Sequence, residues 1–321
     1  MESFSAFANR LRKNFRHFSR WAAREGVTAF RVYDRDLPEY PCSIDWYEGR
    51  VHLLEYPRAS SLRKGTSARK TEDALQAIGD VLGVARERIY VKQHRPMVWG
   101  REQYERTGLP GDWFTVSEQG LKFWVNLGRY LDGGLFLDHR RTRARVRREA
   151  AGKRFLNLFS YTGAFTVHAA AGGASQTTSV DLSSKYLDWA ARNMRLNGFD
   201  PARHERLRAD ASEWLPRAAK EERRYELILI DPPPFSASKA MRRSFNVQRD
   251  HPRLLEAALR LLVPGGTLYF STSFQEFQPH WSFDPGVSVE ELTPGSIPPD
   301  FQRKEVHRCW QIIRRSDRQR V

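Results

Sequence analysis

From residue 154 to residue 273 the chain alternates short apolar runs with amphipathic ones, and this rhythm restricts the fold more than any other feature. FLNLF, TTSVDL, ERLRAD, YELILID and TLYFSTS read as strands, rich in β-branched and aromatic residues. TVHAAAGG, SSKYLDWAARNMRLNG, ASEWLPRAAK and VQRDHPRLLEAALRLL carry apolar residues at helical spacing between them. Strands joined through helices lie parallel, with both sheet faces covered. The expected fold class is therefore α/β, a Rossmann-like sheet whose ligands sit beyond the carboxyl ends of its strands.

The first part of the chain reads differently. Residues 6–25 form a basic amphipathic helix, with Phe7, Leu11, Phe15, Phe18 and Ala22 at three- and four-residue steps and Gly26 as the stop. TAFRVYD, SIDWYE, RVHLLEY, RIYVKQH, DWFTVSE and LKFWVNL are strand-like, and DLPEYP interrupts the first two as proline should. ASSLRKGTSARKTED reads as a mobile loop leading to a helix over 71–84. The expected organisation is an N-terminal basic helix (1–26), a small α+β domain that binds RNA or substrate (27–135), and the sheet domain (136–321).

Four strand ends carry the candidate chemistry. NLFSYTGAFTVHAAAGG, 157–173, follows a strand and opens a helix, an arrangement that presents backbone N–H groups. It lacks both the GxGxxG and the GxxxxGK[ST] pattern, so a nucleotide phosphate is disfavoured, and Gly163 is its turn glycine. Asp181 stands where an acid takes ribose hydroxyls, or else caps a helix. Asp210 is placed to accept from an adenine amino group, and capping the next helix explains it nearly as well. A glycine and two acids at successive strand ends fit an adenosine ligand. The fourth end is ILIDPPPFSASK: three prolines donate no N–H and fix φ, so Asp231 stands at the start of a stiff wall with Phe235 beyond it. Phe235 is either part of that wall or a plug for the core.

Composition bears on the partner. Fifty-three Lys and Arg against 38 Asp and Glu give a net charge of +15, which favours nucleic acid. Residues 140–154 hold eight Lys or Arg and residues 10–24 hold six, two runs placed to contact RNA. Two cysteines far apart, Cys42 and Cys309, argue against a disulfide framework or a structural zinc, and no metal is expected. The N-terminus has no apolar signal core, and no stretch approaches the roughly 18 apolar residues of a membrane span. A cytoplasmic protein without a membrane partner is expected.

FLNLFSYTGAFTVHAA, SVDLSSKYLDWAARNMRLNG, RAD and ILIDPPPFS resemble the S-adenosylmethionine-dependent methyltransferases of 23S ribosomal RNA. FRVYDRDLPEY (30–40), GLFLDHR (134–140), SKAM and FNVQRDH (238–251) and VHRCW (306–310) narrow the likeness to the guanine-N7 half of the bifunctional large-subunit enzymes. It covers nearly the whole chain. STSFQEF (271–277) departs from it, where a more polar stretch is expected.

The resemblance implies a class I methyltransferase sheet and transfer to N7 of a guanine in helix 74 of domain V. Asn157, Phe159, Ser160, Tyr161, Thr162 and Gly163 would surround the methionine part of the cofactor. Asp181 and Leu182 would take its ribose, Asp210 and Ala211 its adenine, Asn197 and Asp231 would complete that site, and Asp138 and Arg140 would close over the cofactor or else form an internal salt bridge. Asp231, Pro232, Pro233 and Phe235 would form the target-base wall. The family usually carries a guanine-N2 half with a THUMP domain in front, so a stand-alone chain acting on 23S rRNA or a large-subunit assembly intermediate is expected, with that half as a separate partner. Tyr161 or Phe235 would stabilise the sulfonium through an aromatic face.

Three rivals compete. A cytosine-C5 methyltransferase shares the NLFSYTG and DPP loops but needs a thiolate. Its relatives carry Cys where this chain has Ser271-Thr272-Ser273, and neither Cys42 nor Cys309 is well placed. A non-catalytic RNA-binding protein would not be expected to keep acids at three strand ends. A nicotinamide dehydrogenase lacks its glycine fingerprint and leaves the charge unexplained.

Overall fold

A computed structural model describes residues 2–56, 64–93, 112–237, 241–281, 283–301 and 306–316. The chain divides into two compact units, with the break between residues 133 and 134; residues 299–301 belong to the first and 306–316 to the second.

In the first unit α1 (Glu2–Glu25) lies on a four-stranded sheet of β1 (Ala29–Asp34), β2 (Cys42–Tyr47), β3 (Arg50–Glu55) and β4 (Ile89–Gln93), with α2 (Lys64–Leu82) between the last two. The spaced apolar stripe of α1 enters this core: Phe7, Leu11, Phe18 and Ala22 pack with Val32, Ile44, Leu53 and Ile78. So α1 belongs to the small unit's core rather than standing apart as its own segment. Helix α2 begins at Lys64, which corrects the expected loop over 64–70; residues 57–63 lie outside the described ones. Two further strands, β5 (Phe114–Glu118) and β6 (Leu121–Val125), form a hairpin.

The second unit contains α3 (Arg140–Glu149), β7 (Arg154–Leu158), α4 (Ala164–Ala171), β8 (Gln176–Asp181), α5 (Ser184–Leu196), β9 (His204–Arg208), α6 (Ala211–Lys220) and β10 (Tyr225–Ile230). A two-residue pair, β11 (Phe235–Ser236) and β12 (Phe245–Asn246), precedes α7 (Val247–Leu261), β13 (Leu262–Thr272), β14 (Val287–Glu291) and β15 (Arg308–Arg314). The sheet order is β14-β15-β13-β10-β7-β8-β9.

Five strands are parallel, as the alternation predicts. At one edge β15 runs antiparallel to β13 and β14 antiparallel to β15. Among the described residues no long helix lies between these last strands, and they return antiparallel. Ile228 and Ile230 pack on the α6–α7 side of β10, Leu227 and Leu229 on the α3–α4 side. That is why LILI is apolar without alternation: the central strand is buried on both faces. The strand order reverses between β7 and β10, which makes the ends of these two strands the expected ligand crevice.

The basic run of α3 is only in part a solvated face: Arg141 and Arg148 are exposed, but two of its arginines turn inward. Arg140 and Arg143 are 2% and 1% exposed, and Arg143 Nη1 donates to Phe136 O at 2.7 Å. Arg154 is tied to Glu226 across β7 and β10. This part of the expected RNA surface is used internally. On α1, by contrast, Arg12, Lys13, Arg16, Arg20 and Arg24 are exposed and line one open groove with Asn9 and His17. Among the described residues no helix is long and apolar enough to cross a membrane.

The FNVQRDH segment proves structural. Asn246 caps α7, its side chain accepting from Arg249 N while Asp250 Oδ2 accepts from Asn246 N at 2.8 Å. His251 shares its Nδ1 with Val247 O and accepts from His280 N through Nε2.

Candidate cofactor and base site

The loop after β7 is bent and tied on all sides. Phe159, Tyr161 and Gly163 all have left-handed φ, of 56°, 49° and 74°. Two non-glycine residues there store on the order of 1–3 kcal/mol each, which the surroundings must offset. Ser160 N donates to Val180 O at 3.1 Å, Tyr161 N to Asp181 Oδ2 at 2.8 Å, and Thr162 Oγ1 to Gly134 O at 2.7 Å. Asn193 Nδ2, on α5, donates to Thr162 O at 2.9 Å. Asn157, 1% exposed, spends its amide on Thr166 Oγ1 at 3.0 Å and so ties α4 to β7. Gly163 is a glycine for two reasons: its φ, and a Cβ that would lie 2.6 Å from the Ala190 methyl. Its close approach is to α5.

The Tyr161 ring is buried against Phe136, Tyr186 and Trp189, so it does not present the open aromatic face expected of it. One atom of this loop is left over: Ser160 Oγ is buried without a hydrogen-bond partner. A buried orphan hydroxyl costs roughly 1–3 kcal/mol, which a hydrogen bond to a ligand's polar group would offset.

The two adenosine acids separate. Asp181 accepts from Tyr161 N through Oδ2 and from Ser183 N through Oδ1 at 2.8 Å, and the cap of α5 is Ser183. Burial raises its pKa, against the lowering effect of the Ser183, Tyr161 and Leu182 N–H groups. Asp210 is the cap of α6, accepting from Ser212 N at 2.8 Å, and it lines an open groove with Arg208, Glu213, Trp214, Arg217 and Arg242. Leu182 is half-buried and accepts from Arg208 Nε, while Ala211 is buried in the first turn of α6. Asn197 is not brought to the loop. It sits at the far end of α5 and caps it, Nδ2 donating to Asn193 O. The asparagine that reaches the loop is Asn193, one helical turn earlier.

At the end of β10, Asp231 is half-buried, Pro232 and Pro234 are buried, and Pro233 and Phe235 are partly open. Phe235 pairs with Asn246, which anchors the wall to the start of α7. The Asp231 carboxylate lies 3.4 Å from His139 Nε2. Beyond His139 the residues form a cluster. His139 Nε2 is 3.6 Å from Asp138 Oδ2, which lies 2.7 Å from His307 Nδ1, and the two imidazoles stack at 4.2 Å. Against burial, which alone would raise it, His139, His307 and Arg143 hold the Asp138 carboxyl below the usual carboxylate range.

Asp138, His139 and His307 bring ligand-type atoms within 4.8 Å of one another. Their rings are 13° from parallel, however, so the in-plane lone pairs do not converge on one ion. The cluster is an acid–imidazole array. In the sequence Asp138 and Arg140 stand out, and the histidine between them does not. His307 had a signal too, in VHRCW, but only the fold brings it beside His139.

A strained turn at the sheet's switch point, an orphan hydroxyl in it, and acids at the next strand ends fit the methionine and ribose of S-adenosylmethionine. Residues 32–285 match the S-adenosylmethionine-dependent methyltransferase family. A methyltransferase solved in complex with SAH shares the architecture at TM-score 0.75 and 25% identity, over 96% of this chain and 81% of its own. A SAM-dependent methyltransferase from Streptococcus mutans does so at TM-score 0.74 and 23% identity, over 96% of this chain and 81% of its own.

Ribosomal RNA large subunit methyltransferase K of Neisseria meningitidis serogroup B is 48% identical over 98% of this chain and 89% of its own length. Ribosomal RNA large subunit methyltransferase K/L of Pseudomonas aeruginosa is 48% identical over 97% of this chain, which spans 42% of that longer protein. The chain belongs to the large-subunit ribosomal RNA methyltransferase K family of S-adenosylmethionine-dependent methyltransferases.

Proposed function

We propose that this chain transfers the methyl group of S-adenosylmethionine to N7 of a guanine in 23S ribosomal RNA, in helix 74. The observation that carries this reading is the Asp231–proline wall at the end of β10, adjacent to the β7 strand whose following loop holds Ser160. Its relative of similar length is a ribosomal RNA methyltransferase by name.

Guanine N7 carries a free lone pair, so no residue has to remove a proton. The donor supplies an activated methyl on a sulfonium. The chain's task is alignment, which in good cases contributes about 7–11 kcal/mol. Ser160 Oγ and the loop's backbone would hold the methionine end, and Asp181 the ribose. Asp231 would face the purine, which becomes cationic on methylation, so a fixed carboxylate favours the transition state over the ground state. Pro232, Pro233 and Phe235 would bound the base plane.

Both cysteines speak against cytosine C5. Cys42 and Cys309 are 5% and 0% exposed. Burial, then the Asp231 charge, pushes the Cys309 thiol up to about 12, and burial also raises Cys42. Neither is available as a thiolate nucleophile.

The test is methyl transfer from labelled S-adenosylmethionine to unmodified 23S rRNA, followed by borohydride–aniline treatment, which breaks the chain at N7-methylguanosine. A single new cut is expected. Incorporated label without a cut would exclude N7.

A further inference from the structure

An aspartate at a strand end is ordinarily oriented by the backbone N–H groups that follow it. Asp181 is held in this way, by Ser183 N and Tyr161 N. Asp231 has no such choice, because Pro232, Pro233 and Pro234 carry no N–H. Among the described residues, the partner its carboxylate is given is His139 Nε2, at 3.4 Å. The same prolines that stiffen the wall therefore remove the usual means of aiming its acid.

His139 is built to supply that aim. His139 is 4% exposed, its ring stacked on His307 at 4.2 Å and T-shaped to Phe165 at 5.7 Å, contacts that restrict its rotation. Its Nδ1 is buried without a partner. A buried orphan acceptor is better tolerated than a buried orphan donor, so the tautomer with hydrogen on Nε2 is favoured. Two carboxylates lie near that nitrogen, Asp231 at 3.4 Å and Asp138 at 3.6 Å. Burial also lowers the imidazole's pKa against the pull of Asp231.

His307 is immobilised in turn. Its Nδ1 lies 2.7 Å from Asp138 Oδ2 and its Nε2 2.9 Å from Ser296 Oγ, which donates to Thr293 O at 3.1 Å. The array thus links the turn before α3, the end of β10 and the start of β15.

We propose that His139 is the positioning residue that aims the Asp231 carboxylate at the target base, and that Asp138, His307 and Ser296 fix His139 for this task. The inference rests on the reading of Asp231 as the base-facing acid. The Asp231 side chain is 21% exposed, so it has room to meet a base on one side while His139 holds the other. Contacts of this kind shorten when the substrate is bound.

The experiment compares His139→Leu, His139→Gln and His307→Gln in transfer to 23S rRNA, with wild type in parallel. Folding is followed by thermal melting and S-adenosylmethionine binding by calorimetry. His139→Leu is expected to lower kcat on the order of 10²-fold, since a misplacement of about 1 Å costs that much, while both KM values stay near wild type. His139→Gln, whose amide N–H reaches where Nε2–H was, is expected to recover most of the rate. Wild-type kcat in His139→Leu would overturn the proposal. So would equal losses in the Leu and Gln variants that track the unfolded fraction. A readout without RNA separates this from the function itself: the His139 Nε2–H proton resonance must move in Asp231→Asn. An unmoved resonance would refute the contact whatever the enzyme methylates, whereas an inactive wild type with a shifted resonance would count against the substrate alone.

Discussion

Asn193, fully buried on α5, donates its side-chain N–H to the carbonyl of Thr162 at 2.9 Å and ties the cofactor loop to the neighbouring helix. Replacing it with Leu leaves that carbonyl buried and unsatisfied, a cost of about 1–3 kcal/mol. Asn193→Leu is expected to melt earlier by that amount and to bind S-adenosylmethionine about tenfold more weakly. Asn197→Leu, at the helix end, should leave cofactor affinity unchanged. Calorimetry on the pair checks both.

Gly163 and Ala190 are expected to couple. Gly163→Ala puts a methyl 2.6 Å from the Ala190 Cβ at a φ of 74°, so it carries both a clash and a left-handed strain. Together these should cost about 2–4 kcal/mol in denaturant unfolding. The double variant Gly163→Ala/Ala190→Gly removes the 2.6 Å contact, leaving the Ala190 Cα at 3.2 Å and the strain, and it should recover part of the loss. Strict additivity of the two single effects would contradict the packing.

Asp181 gives a pH signature. Burial raises its folded pKa above the ordinary 3.8, so the protonated acid favours the fold. That stabilisation is complete below 3.8 and is lost as pH rises through the folded value. Asp181→Asn is uncharged throughout and lacks this dependence. Wild type should therefore gain stability relative to Asp181→Asn on acidification toward the ordinary value, and a pH-independent difference in unfolding free energy would rule this out.

The double variant Cys42→Ser/Cys309→Ser should keep methyl transfer to 23S rRNA, because both thiols are buried. Polar replacement at these buried positions should lower the melting point, so the rate is compared per folded molecule. Complete loss in folded protein would restore the cytosine reading.

The basic stripe of α1 predicts a salt effect. Arg12, Arg16 and Arg20 fall four residues apart on the exposed face. Replacing all three with Gln should weaken RNA binding and flatten its log–log salt slope by about 2, at roughly 0.7–0.9 for each phosphate no longer neutralised. The corresponding change at Arg140 and Arg143 should act on folding instead, since both are buried. Filter binding across a salt series, with melting curves, distinguishes the two helices.

What the sequence determined by itself was the periodic part of this protein. Short apolar runs and the 3.6-fold pattern between them identified the five parallel strands and their helices, because burial on both sheet faces and on one helix face imposes them locally. The Ser160 loop and the acids after β8, β9 and β10 followed from being strand ends. Tertiary structure decided what no local pattern encodes. It turned Arg140 and Arg143 inward although their run reads as a solvated basic face, since a long side chain can bury its stem wherever a partner carbonyl waits. It laid β15 antiparallel beside β13. It set Asn193 against the Thr162 carbonyl through the direction of α5. Above all it brought His307 against His139 from 168 residues away in sequence, beside an acid that three prolines had left without backbone donors. Such a meeting depends on which strands become neighbours, and only the assembled sheet fixes that.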